Sequence, residues 1–113
     1  MKIIKYSYNF NGKLNPKVLS WSTVRLKNDY IYREGEWYMH VLYDHKGSIV
    51  LQKKGLLLYN HDFLLDKVTL PIARLDTGYG VDEFIAMVRK MYKNKNIDWT
   101  KKLLSFLVFT QKF

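Results

Sequence analysis

The chain has 113 residues, a formal net charge of +9, 48% hydrophobic and 16% aromatic residues, enough apolar material for one domain to close a core by packing alone. It contains no cysteine, which excludes disulfides, thiolate catalysis and zinc–thiolate sites. No apolar run approaches the ~20 residues of a membrane span, so the expectation is a single cytoplasmic α+β domain over residues 1–113, with no membrane partner.

In chain order, Ile4, Tyr6, Tyr8 and Phe10 alternate with Lys5, Ser7 and Asn9, the period-two pattern of a half-buried strand, and Asn11-Gly12 signals a turn. Asn15 before Pro16 reads as an N-cap with a first-turn proline, giving a short helical turn over "PKVLSW". From Thr23 to Lys54 the chain reads as a meander of strands with hairpin loops at Glu34-Gly35 and at "DHKG", 44–47. If Asp44 pairs with Ser48 across the second loop, strict alternation puts Trp37, Met39, Val41, Tyr43, Ile49 and Leu51 on the core face. The opposite face then carries Tyr38, His40, Leu42, Val50, Gln52 and Lys54, of which Tyr38, His40, Gln52 and Lys54 form a candidate contact surface.

Further along, "HDFLLDK" reads as one helical turn and "VTLPIARL" as a strand whose Pro71 demands an edge or an irregularity. Phe84, Ile85, Val88, Met91 and Tyr92 then make an apolar stripe at helical spacing. Asp82 and Glu83 stand at its start and Arg89, Lys90, Lys93 and Lys95 toward its end, as the helix dipole favours. The final "KKLLSFLVFTQKF" is apolar on both alternate faces and suits a central strand. The expected architecture is a mainly antiparallel sheet of about five to six strands with one main amphipathic helix near residues 81–95 packed on one face, against Trp37, Met39, Val41 and Leu51.

Three stretches invite a catalytic reading. "RLDTGYG", 74–80, contains the Asp-Thr-Gly of aspartic proteases, but only 35 residues follow Gly78. They open with a helix where a retroviral-type protease would build its flap and barrel, so a turn is the better reading. Gly78-Tyr79-Gly80 before a helix has the order of a phosphate loop, yet Asp82 and Glu83 in the first helical turn would repel an anion. Asp44 with "QKK" at 52–54 imitates a metal-dependent nuclease, but the two lie ~13 Å apart along a hairpin at ~3.3 Å per residue. His40, His45 and His61 lack ligand spacing. No catalytic residue, metal or cofactor is assigned, and the chain leans away from an enzyme.

Charge is the remaining signal. Residues 1–28 hold six Lys/Arg and no acid, residues 29–88 six against nine, and residues 89–113 seven against one. The stretch "RKMYKNKNIDWTKK" sets Arg89, Lys90, Lys93, Lys95, Lys101 and Lys102 around Tyr92 and Trp99, the composition of a surface that holds phosphates and stacks bases. With Lys5 and Lys13, these residues and Trp99 make a candidate nucleic-acid site, for DNA or RNA, formed where the two basic ends meet. The alternative is an interaction protein, such as an inhibitor from a mobile element that binds a host protein. The bias of 15 Lys to 4 Arg, with 9 Tyr, 7 Ile, 7 Asn and 2 Ala, is one that AT-rich codons produce, and it fits a phage, virus or other mobile element.

Overall fold

The computed structural model describes residues 1–28 and 31–111. Among them the elements run β1 (Lys2–Tyr6), β2 (Ser20–Leu26), β3 (Trp37–Tyr43), β4 (Ile49–Leu64), α1 (Leu70–Thr77), α2 (Val81–Met91) and β5 (Leu103–Thr110), with 3-10 turns at Phe10–Gly12 and Leu65–Lys67. The sheet has five strands in the order β1-β3-β4-β5-β2. It is mixed: β1 lies parallel to β3 and β3 antiparallel to β4. Parallel neighbours need a crossover connection, and here the crossover contains β2, which sits at the far edge of the sheet. The meander expected from Thr23 is therefore replaced by a longer path, with Asp29 and Tyr30 outside the described residues. Glu34-Gly35 joins no hairpin. Instead Gly35 N–H donates to the Leu57 carbonyl at 2.8 Å and Leu57 N–H to the Glu36 carbonyl at 2.9 Å, which prolongs the ladder between β3 and β4.

The 44–48 hairpin forms as expected: Asp44 N–H donates to the Ser48 carbonyl at 2.9 Å, the Asp44 carboxylate accepts from the N–H groups of Lys46 and Ser48, and Gly47 takes φ 84°. Beyond it the register shifts. Tyr43 pairs with Ile49, but Leu42 pairs with Leu51, His40 with Lys53 and Tyr38 with Gly55, so Val50 is the extra residue of a β-bulge. A one-residue slip moves a strand's side chains to the other face. Of the expected core face only Val41, 2% exposed, is fully buried: Tyr38 and His40 of the opposite face are 0% and 1% exposed, whereas Trp37 is 37% and Ile49 57% exposed.

The chain divides into two compact units. One comprises Met1–Ser22, Tyr32–Asn60 and Leu107–Phe113, the other Thr23–Ile31 and His61–Phe106; β2, β4 and β5 each contribute to both. In the first unit, Trp21, Tyr38, His40 and Phe109 form an aromatic core over Gly55. His40 lies 4.3 Å from Phe109 and 4.9 Å from Trp21 between ring centroids, edge-on to each. Tyr6 Oη and His40 Nδ1 share a hydrogen bond at 2.9 Å. The segment after β1 is not a strand to Phe10; it turns at Asn11 and Gly12, both at positive φ. No helix follows Pro16: Val18 N–H donates to the Asn15 carbonyl at 3.0 Å, a β-turn with proline at its second position. Lys53 closes this loop. Its Nζ donates to the carbonyls of Lys13, Asn15 and Val18 at 2.9–3.1 Å and stands 3.8 Å from the Trp21 ring centroid.

In the second unit, "VTLPIARL" forms α1 rather than a strand. Pro71 sits in the first turn of the helix, where its missing N–H costs nothing, and Ile72, Ala73, Asp76 and Thr77 supply a buried stripe. The helix stops at Gly78, whose φ of 82° and N–H bond to the Arg74 carbonyl at 2.9 Å make a left-handed cap. α2 follows from Val81 and ends at Met91, short of the expected 95. Phe84 and Val88 are buried, but Met91 is 63% exposed. β5 confirms the strand reading over Leu103–Thr110; Lys112 and Phe113 lie outside the described residues. No helix among the described residues is long and apolar enough to cross a membrane.

Candidate nucleic-acid interface

The basic stretch after α2 folds into a compact loop. Lys95 N–H closes a turn on the Tyr92 carbonyl at 2.9 Å. Asp98 organises the next one: its carboxylate accepts from the N–H and hydroxyl of Thr100, and its carbonyl from the N–H groups of Lys101 and Lys102. The Thr100 hydrogen bonds hold the Asp98 carboxyl below its ordinary range, so it stays ionised as the acceptor that fixes the turn. Tyr92 and Trp99 meet at 6.1 Å between ring centroids, both half-buried. Burial pushes the Tyr92 phenol up, against the opposing charge of Arg25 and a backbone hydrogen bond from Leu26.

These turns surround a surface hollow of about 520 Å³ lined by Leu26, Asn96 and Ile97 together with Lys95, Lys101 and Lys102, and Asp98 at its wall. The volume is within the range of small-molecule sites, about 300–1,000 Å³. Its chemistry is an apolar contact bordered by three ammonium groups. Leu26, Asn96 and Ile97 were not among the residues expected from sequence, because an apolar residue in a lysine-rich loop carries no signal until the fold brings Leu26 of β2 beside it.

The other expected residues are distributed over the two units. Lys90 and Lys93 are exposed at the end of α2, while Arg89 is held by Asp66 at 2.9 Å, an exposed pair of small energetic weight. Lys13 belongs to the first unit and serves its loop, its Nζ donating to the Ser22 carbonyl at 2.9 Å. Lys5 is exposed on β1. The contact surface proposed from Tyr38, His40, Gln52 and Lys54 is corrected by the bulge. Tyr38 and His40 point into the core, and Gln52 and Lys54 lie on the opposite face, in cross-strand rows Lys5–Val41–Gln52 and Ile3–Met39–Lys54.

Asp76 and Thr77, the sequence's protease-like pair, occupy the last turn of α1. Thr77 Oγ1 donates to the Ala73 carbonyl at 2.8 Å and accepts from Tyr79 N–H at 3.0 Å. Gly78 and Gly80 serve as the cap of α1 and the N-cap position of α2. The expected turn is confined to residues 78–80, between two helices, and Arg74, Leu75, Asp76 and Thr77 belong to α1. Among the described residues, no three His, Asp or Glu side chains stand together as metal ligands. Comparison with protein-family models, curated proteins and solved structures found no match.

Proposed function

We infer that the protein binds nucleic acid through the loop that follows α2, with phosphate contacts from lysine ammonium groups. The observation that supports this reading best is the hollow lined by Lys95, Lys101 and Lys102 with Leu26 and Ile97, the Lys95 ammonium standing 5.9 Å from the Tyr92 ring centroid: ammonium groups neutralise phosphates, and apolar or aromatic neighbours accept a base. Phosphate contacts of this kind position a strand without reading its sequence. The test is fluorescence anisotropy with labelled single- and double-stranded DNA and RNA across a salt series. Affinity should fall steeply with salt, and the double change Lys95→Glu with Lys101→Glu should weaken binding alike for every sequence. Each lost phosphate contact should reduce the log–log salt slope by about 0.7–0.9. A parent protein that binds no oligonucleotide at low salt would refute this reading.

A protein partner is the second reading, and one observation favours it. Ile3 and Leu58 are about half exposed beside Trp37 on the outer face of the first unit, and exposed apolar groups rimmed by polar ones mark interaction surfaces. The interaction protein would then be an inhibitor acting on an acidic host surface, possessing no catalytic residue of its own.

A further inference from the structure

We propose that the hollow between β2 and the loop after α2 is a phosphomonoester site, which takes a nucleoside monophosphate, free or as the phosphorylated end of a strand. The proposal rests on the nucleic-acid reading above and adds to it which part of the nucleic acid the loop holds. Every residue of the hollow belongs to the second unit. Leu26 is brought there by the pairing of β2 with β5, where Lys27 N–H donates to the Leu103 carbonyl at 2.9 Å. Lys101 and Lys102 are placed by the Asp98 carbonyl, which accepts from their N–H groups at 3.1 and 2.9 Å.

Size and charge select the occupant. A hollow of about 520 Å³ has the dimensions of a small-molecule site, whereas a groove that tracks a strand holds about 4–16 nucleotides. Its lining sets three lysines against one carboxylate, a formal +2. A phosphodiester inside a strand carries a single negative charge, and a phosphomonoester about 1.5–2 at neutral pH, so the terminal group is the better match. Lys95, Lys101 and Lys102 have no ion pair among the described residues. Asp98 makes the site directional. Both of its side-chain bonds, from the N–H and hydroxyl of Thr100, fall on Oδ1, and Oδ2 has none among the described residues. A carboxylate on the wall repels the next phosphate of a continuing strand and accepts from a neutral donor such as a sugar hydroxyl. Leu26 and Ile97, both partly buried, offer the base an apolar border.

The experiment is fluorescence anisotropy of the full chain with labelled single strands of one sequence that end in a 5′-phosphate, a 3′-phosphate or hydroxyls only. A phosphorylated strand should bind about tenfold tighter than the hydroxyl-ended one, the effect of one added charged hydrogen bond, and the better of the two identifies the end. That preference should vanish as the pH is lowered from about 7.5 to about 5, through the second phosphate ionisation at about 6. The lining holds no histidine and Asp98 is held below its ordinary range, so this change belongs to the ligand. Adenosine monophosphate should displace the phosphorylated strand at about one tenth of the concentration that inorganic phosphate needs, since it adds a base contact. In Asp98→Asn, whose amide oxygen can keep the Thr100 bonds, the hydroxyl-ended strand should bind tighter and the preference narrow. Should that variant fail to fold, the comparison of strands on the wild type decides alone. Equal affinity for all three strands would overturn this proposal while the loop stands as a phosphodiester surface. Inorganic phosphate that competes as well as the nucleotide would overturn it too, by showing that the hollow holds phosphate alone. Absence of binding by every oligonucleotide would remove the reading beneath it as well.

Discussion

A methyl group added at Gly55 would lie 2.7 Å from the Trp21 indole and 2.8 Å from His40 Nε2, so one of two buried rings would have to move. Gly55→Ala should therefore cost about 1–3 kcal/mol, the usual penalty for overfilling a packed core, and denaturant titration checks it. The sequence marks this position only as a glycine in an apolar run; its reason is that Trp21 and His40 occupy the space its side chain would fill. Lys53 is a second residue whose role the sequence hides. Burial draws its ammonium down from 10.5 to about 8, whereas the three carbonyl acceptors require all three N–H donors of the charged form. Between pH 8 and 10.5 the unfolded chain thus binds more protons than the folded one, and this group's contribution to stability rises with pH across that window. The clamp itself loosens over the same range. The amide signals of residues 13–18 should titrate with a midpoint near 8 and cease to do so in Lys53→Met; a midpoint above 10 would show that the carbonyls outweigh burial.

At the scale of elements, the bulge and the two helices carry the argument. Deleting Val50 would remove the extra residue and drive Gln52 and Lys54 toward the Tyr38–His40 face, at the cost of burying a charge beside an aromatic core. The deletion variant should lose its folded amide spectrum; a folded variant of unchanged stability would show that the bulge does not set the register. In α2, Val88→Asp should cost about 4 kcal/mol or more by burying an unpaired carboxylate, while Met91→Asp, at an exposed site, should stay within about 0.5 kcal/mol. Thermal melting of the pair separates the buried stripe from the apparent one. Periodicity placed Met91 on the stripe, but the helix ends at that residue, and a stripe's last member has no following turn to hold it against the core. Pro71 misled for a related reason: proline is excluded equally from central strands and helix interiors, and only the buried spacing of Ile72, Ala73 and Asp76 shows that it opens a helix.

For the whole molecule, β2, β4 and β5 each supply residues to both compact units. Loss of one unit would remove strands from the other, so unfolding should occur as one transition, with calorimetric and van't Hoff enthalpies equal. Two resolved transitions would show that the units melt separately. The charge pattern also acquires meaning at this scale. Lys5 and Lys13 of the basic N-terminal stretch belong to the first unit, and Lys90, Lys93, Lys95, Lys101 and Lys102 to the second. Within the first unit the lysines divide again into those that hold backbone, as Lys13 and Lys53 do, and those that are exposed, as Lys5 and Lys54 are; Lys95 and Lys101 of the second unit are exposed.

The sequence by itself determined what depends on neighbours along the chain: the alternation of β1 and β3, the Asp44–Gly47 turn, the apolar period of α2, the two-sided apolar run of β5, and the lysine-rich loop that ends in Trp99. Only the tertiary structure decided what depends on contacts across the chain. The parallel placement of β1 beside β3, the inward turn of Lys53, the arrival of Leu26 at the loop hollow and the choice of core face are all of this kind. The face illustrates the physical reason. β3 carries large apolar groups at both parities, so a period of two is equally satisfied either way; Trp21 and Phe109 from distant strands, packing over Gly55, make the Tyr38–His40 side the buried one.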